Sequence, residues 1–170
     1  IALNEVTIIA TKNAEREFYS ASPERTTDLI HTNLDVAFDW EKKHLLGKAY
    51  LDLKPYFHTQ STVTLDAKGF DIHQVALAEP DGALTNLNYT YNDLKLSIQL
   101  DREYRREETY QIYIRYTAKP DELEIEGGDA ITDAKGLYFI NPDNAQDKPQ
   151  QIWTQGETES SSCWFPCIDK

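Results

Sequence analysis

The sequence predicts an all-β domain, an antiparallel-rich sandwich or curved sheet, and three observations lead there. Apolar residues recur at every second position through most of the chain, the period of a half-buried strand. These runs are short and separated by polar, Gly- or Pro-bearing turns. No long stretch carries the 3.6-residue pattern of an amphipathic helix. The ten Tyr residues fall largely within the alternating runs, where an aromatic ring suits a pleated surface.

Residues 1–26 read as an N-terminal extension, with Val6, Ile8 and Ile9 in a short strand or helical turn and a break at Ala21-Ser22-Pro23. From Thr27 the pattern sharpens. Ile30, Thr32, Leu34, Val36, Phe38 and Trp40 form one face, and His31, Asn33, Asp35, Ala37 and Asp39 the other. A polar turn at Glu41-Lys42-Lys43-His44 leads to Ala49, Leu51 and Leu53, giving a hairpin. Val63 and Leu65 mark a strand that ends in the turn Asp66-Ala67-Lys68-Gly69. Phe70 and Ile72, then Val75 and Leu77, change parity within one strand, which predicts a β-bulge. Pro80-Asp81-Gly82 is a turn. Leu87, Tyr89 and Tyr91, then Leu94, Leu96, Ile98 and Leu100, flank Asn92-Asp93. Arg102, Arg105 and Arg106 are interspersed with Asp101, Glu103, Glu107 and Glu108 and read as a solvated turn. Tyr110, Ile112, Ile114 and Tyr116 follow, Gly127-Gly128 punctuates, and Leu137–Ile140 reads as the last of eight or so strands. Residues 141–150 are the most loop-like and deliver the chain to its tail.

Composition removes several functions. With 29 Asp and Glu against 17 Lys and Arg, a net charge of −12, the surface repels phosphate backbones, so no nucleic-acid partner is expected. No apolar run approaches the roughly 20 residues of a membrane span, so no span is expected. The chain has no Met, so a beginning inside a longer precursor is expected. A removed signal would place the protein in the periplasm or outside the cell, and the compartment stays open. Two Cys in 170 residues make no disulfide framework.

Chemistry-bearing motifs are sparse. His31, His44, His58 and His73 have no ligand spacing, and Cys163 and Cys167 lack the second pair of a structural zinc site. No metal site is expected within these residues. Ser160-Ser161-Ser162 lacks a strained nucleophile elbow and reads as a Ser-rich loop or helix cap. The acidic runs Asp121-Glu122-Glu124-Glu126 and Asp143-Asn144-Asp147 match no calcium loop and read as solvated turns. Gln155 and Glu157 remain. In extended chain, residues two apart project to one side. An amide oxygen and a carboxylate could thereby converge on a protonated amine, although such pairs are common and surface solvation is their default reading.

The tail then carries a resemblance. Trp153-Thr154-Gln155-Gly156-Glu157, continuing to Phe165-Pro166-Cys167-Ile168-Asp169, resembles a motif of the aminopeptidase N family of zinc metallopeptidases. Leu34-Asp35-Val36, Gly47-Lys48-Ala49, Leu65-Asp66-Ala67, Tyr116-Thr117-Ala118 and Lys135-Gly136-Leu137-Tyr138 are similar to strand motifs of its N-terminal β-domain. The resemblance covers at least residues 27–170. It implies a saddle-shaped, mostly antiparallel β-sandwich-like domain that packs on a thermolysin-like catalytic domain following in sequence. It implies substrate-binding roles, Glu157 at the free α-amine of a peptide substrate and Gln155 lining the same subsite. Zinc and the catalytic residues would belong to the following domain, so the 170 residues alone are expected to be inactive and free of cofactor. Glu159, outside the matched motif, is read as solvated. Two other readings stand beside this one: a non-catalytic β-sandwich module binding carbohydrate or protein through Trp153, Trp164 and Tyr residues, and a domain that only docks a partner.

Overall fold

A computed structural model describes residues 25–123, 134–145, 147–157 and 159–169. The expectations for Val6, Ile8, Ile9, the break at Ala21-Ser22-Pro23 and Gly127-Gly128 lie outside these residues. The described chain is all-β. Ten strands run in order: β1 (Thr27–Asp39), β2 (His44–Pro55), β3 (Gln60–Asp66), β4 (Phe70–Ala78), β5 (Leu84–Asn86), β6 (Tyr89–Tyr91), β7 (Lys95–Tyr104), β8 (Tyr110–Ala118), β9 (Leu137–Ile140) and β10 (Gln151–Thr154). Two 3₁₀ turns, at Pro120–Glu122 and Ser161–Cys163, complete it.

A five-stranded sheet of order β1-β2-β8-β4-β5 and a three-stranded sheet of order β3-β7-β6 share one core, and β9 and β10 form a separate hairpin. All pairings are antiparallel. The alternation read from the sequence fills the space between the sheets. Leu45, Ala49, Leu51 and Leu53 of β2 meet Val63 and Leu65 of β3, Leu96 and Ile98 of β7, and Ile112 and Ile114 of β8, all buried. At roughly 1.5–3 kcal/mol per buried large aliphatic side chain, this interior is the main stabilising term.

The bulge expected in β4 lies between Ile72 and Gln74. A second bulge, between Leu29 and His31, corrects the reading of β1. It turns Ile30 out to solvent, 51% exposed, and lets Leu29 pack on the core instead. The Arg-rich segment is also corrected. β7 runs on through Arg102 to Tyr104, because the Tyr104 ring is buried and the Arg102 guanidinium lies 3.9 Å from its centroid. Arg105 and Arg106 do form the exposed turn. Leu94 falls in the β6–β7 turn, 54% exposed. The strand at Leu137–Ile140 is not the last, since β10 pairs with it.

Residues that carried the family resemblance have packing reasons. Asp35 and Lys48 pair across β1 and β2 at 2.8 Å. Gly47 faces Tyr116 across β2 and β8, and a Cβ at Gly47 would lie 2.3 Å from Cζ of that ring. The Tyr116 ring stacks on Phe70 at 4.9 Å, and its hydroxyl donates to the Trp164 carbonyl at 3.1 Å. One buried Tyr thus links the sheet to the tail.

Candidate functional site

The tail begins as β10. Its partner β9 sets the register Thr154↔Leu137, Trp153↔Tyr138, Ile152↔Phe139 and Gln151↔Ile140. Residues opposite each other share a face. Leu137, Phe139 and Ile152 turn inward, and Phe139 meets the Phe38 and Trp40 rings edge-on at 6.1 and 5.5 Å. Trp153, 62% exposed, and Ile140 face outward, and the Trp153 indole N–H donates to the Gln151 side-chain oxygen at 3.0 Å.

Strand structure stops at Thr154, so Gln155 and Glu157 stand in the segment just beyond it, with Glu157 in a turn. The argument that residues two apart share a side applies to extended chain and therefore ends with β10. Both residues are exposed, and among the described residues neither side chain carries a hydrogen bond or ion pair. Their main chain, by contrast, is held from both ends. Gln155 N donates to the Gly136 carbonyl at 2.9 Å, and Ser160 N donates to the Gly156 carbonyl at 3.0 Å. Gly136 has φ +71°, and a Cβ there would lie 1.9 Å from the Ser160 carbonyl oxygen. Only glycine allows both the left-handed backbone and this approach.

Beyond the turn the tail is fastened to the end of β3. Asp66 exchanges main-chain hydrogen bonds with Cys167 at 2.7 and 3.1 Å. Its carboxylate accepts from Asp169 N at 3.2 Å and pairs with Lys95. The Asp169 carboxylate accepts from Ser162 N at 3.0 Å, and Lys68 Nζ donates to the Glu159 carbonyl at 2.7 Å. Glu159 is half-buried with φ +63°, which corrects its reading as a solvated residue. Ser160 and Ser162 are buried and donate to the carbonyls of Glu157 and Glu159, consistent with the loop reading of the Ser run. Sequence reading missed Asp66, Lys68 and Gly136 as positioning residues. Asp66 was visible only as a turn residue and a member of a resembling motif, and Gly136 only as a motif member.

Trp164 and Phe165 lie edge-to-face at 4.5 Å and pack on the core. Cys163 and Cys167 are buried free thiols. Burial pushes the Cys163 thiol up to about 11 and, with Asp169 and Asp66 adding to it, raises that of Cys167 as well. Neither has the stabilised thiolate of a nucleophile. Among the described residues no three or more His, Cys, Asp or Glu side chains come together as a metal site. Glu124 and Glu126 of the first acidic run lie outside the described residues. Asp121 pairs with Lys43 and Lys135, and Glu122 with His44. No helix among the described residues is long and apolar enough to cross a membrane.

A family model for the Peptidase M1 N-terminal domain matches residues 28–170. Solved structures share the fold. A two-domain M1 zinc metallopeptidase bound to L-tryptophan aligns with a TM-score of 0.65 at 20% identity, over 86% of this chain and 30% of that one. The M1 zinc metallopeptidase of Deinococcus radiodurans gives 0.62 at 20% identity, over the same shares. Yeast LTA4 hydrolase gives 0.62 at 18% identity, over 88% of this chain and 23% of that one. The chain thus spans less than a third of the length of these structures. A search of curated proteins finds no match.

Proposed function

Since the chain belongs to the Peptidase M1 N-terminal domain family, we propose that residues 27–170 are the N-terminal domain of a zinc aminopeptidase, closing its active-site cleft and anchoring the free α-amine of a peptide substrate. Residues 1–26 are then an extension ahead of the domain. The observation that supports this reading best is the contrast at Gln155 and Glu157. Their side chains are exposed and unpartnered among the described residues, while the main chain on either side is fixed to Gly136 and Ser160. A rigid main chain presenting uncommitted acceptors suits a binding group, because little order remains to be imposed when ligand arrives.

An ammonium needs acceptors and a counter-charge. Glu157 supplies the charge and Gln155 a neutral acceptor. Anchoring the amine sets the scissile bond one residue away, which makes an exopeptidase by positioning. A second domain facing the pair would exclude water and strengthen the contact. The metal fits no group of described residues in this chain, and we assign its ligands to a catalytic domain outside these 170 residues. The peptide substrates and that domain are the partners this reading requires.

The test is kcat/KM in the full-length enzyme. For a substrate with a free α-amine, such as a leucyl anilide, Glu157→Gln is expected to lower it roughly 30-fold, about 2 kcal/mol, the low end for truncating a desolvated charge pair. Its N-acetylated analogue should show little difference. Glu107→Gln, at an exposed site on the β7–β8 turn, serves as control. Equal losses in both variants, or none in Glu157→Gln, would remove Glu157 from the anchor. A non-catalytic binding module would show no aminopeptidase turnover in the full-length protein at all.

A further inference from the structure

The open edge of β3 has the makings of a second binding site, independent of the aminopeptidase reading. Asp66 bonds Cys167 through both its N–H and its C=O, so these groups point away from β7. Main-chain direction alternates along an antiparallel strand. Leu65 and Val63 therefore face β7, while Thr64 and Thr62 turn their N–H and C=O to the same open edge as Asp66. Ala67 N donating to the Leu94 carbonyl, back toward β7, agrees with this phase. Among the described residues, only the Asp66 end of the edge is closed, by the tail.

Among the described residues, the other edges of the two larger sheets are protected. β1 carries Asp28, His31 and Asp35 and a bulge, and β5 and β6 are three residues each. Charge, bulges and shortness each blunt an edge. β3 has a bulge at its start, between Gln60 and Thr62, but Thr62 and Thr64 beyond it are uncharged and exposed. A groove of about 290 Å³ lies along this edge, lined by Arg25, Phe57, His58, Gln60, Thr62 and Thr64 among others. Its full lining contains no carboxylate, in a chain with 29 acidic residues. The Phe57 ring is 58% exposed, and the Arg106 guanidinium stands 5.8 Å from its centroid.

We infer that the open edge of β3 docks an extended acidic peptide segment of a partner protein. The segment adds as a strand to Thr62 and Thr64, sets a carboxylate at Arg25 and lays an apolar side chain on Phe57. Main-chain pairing supplies the affinity, and the cations and the ring supply selectivity.

The test titrates the isotope-labelled 170-residue chain with two capped hexapeptides, Glu-Thr-Val-Thr-Val-Glu and Lys-Thr-Val-Thr-Val-Lys, and follows each amide by NMR. The glutamate peptide is expected to slow hydrogen exchange at the Thr62 and Thr64 amides about tenfold at saturation, as new strand pairing does. It should also bind about fivefold tighter than the lysine peptide, a gap that shrinks with salt. Thr64→Pro removes one outward N–H and should abolish the protection, since an edge strand tolerates proline there. Arg25→Glu should reverse the peptide preference and guards against a misfolded proline variant. Equal binding of both peptides, protection on β1 instead, or no protection would overturn the inference. So would faster exchange at Thr62 and Thr64 on deleting residues 1–24, which would make the chain's own N-terminal segment the occupant.

Discussion

Gly136 and Gly47 show how single positions hold the tail in place. At Gly136 an alanine would need a left-handed backbone and a Cβ 1.9 Å from the Ser160 carbonyl oxygen. The first effect costs about 1–2 kcal/mol and a steric insertion about 1–3, so Gly136→Ala should destabilise by roughly 2–5 kcal/mol. The tail must shift to relieve the clash, so Gln155 N should also lose its protection from hydrogen exchange. Gly47→Ala meets the buried Tyr116 ring without backbone strain, and about 1–3 kcal/mol is expected. Urea unfolding of both variants checks the order; a smaller loss at Gly136 than at Gly47 would mean that the tail yields freely. The two thiols give a second prediction at this scale. Burial raises both above their ordinary values, so little thiolate exists near neutral pH. An aromatic disulfide reagent should leave the native chain nearly unmodified at pH 7.5 and titrate two thiols in denaturant. Rapid labelling of the native chain would refute the buried placement of Cys163 and Cys167.

Among the elements, a clamp joins the β1–β2 turn, the Pro120–Glu122 turn and the approach to β9. Asp121 accepts from Lys43 and Lys135, each at 3.1 Å. Burial acts to raise the Asp121 pKa, but the two lysines outweigh it and hold the carboxyl below its usual value. A carboxylate depressed in the folded state adds stability above its unfolded value of about 3.9 and loses it as pH falls through the lower folded value. Asp121→Asn should therefore destabilise near pH 7 by about 0.5–1 kcal/mol, since both pairs are partly exposed. The gap to the parent should close in acid, and pH-dependent unfolding of the pair checks it. A gap that persists below that titration would assign the effect to packing instead. The long elements were legible in the sequence because burial on one face writes a period of two, as in β2, β3 and β8. β5 was not, because Leu84–Asn86 is exposed throughout and writes no pattern. Nor was β10, where only Ile152 is even half-buried. Ile30 was misplaced because a bulge reverses the face locally without a composition signal. Gln155 and Glu157 stood out by their spacing, and only the resemblance gave them a role. Asp66 and Tyr116, which brace their tail, act across roughly 50 to 100 residues of chain, a distance that no local spacing reveals.

For the whole molecule, the face of β9 and β10 opposite the core carries the proposal that a second domain packs here. Trp153, two residues before Gln155, is 62% exposed, and Ile140, opposite Gln151 on the same face, is 36% exposed. Surface apolar residues scattered singly are ordinary, whereas a cluster beside a binding segment suits a domain contact. The two cases separate by where a charge is felt. Trp153→Asp in the 170-residue chain removes a ring that already faces water, so its unfolding midpoint should change by less than about 0.5 kcal/mol, as at other surface sites. In the full-length protein the same substitution would bury a carboxylate against the second domain, without a partner of its own. A cost of about 2 kcal/mol or more is then expected, with a lowered Tm and a raised KM as the domains separate and Glu157 retreats from the cleft. Thermal unfolding of both proteins, with and without the substitution, measures the difference directly. Equal shifts in the short and long chains would show that Trp153 faces solvent in both, and the domain contact would have to lie on another face.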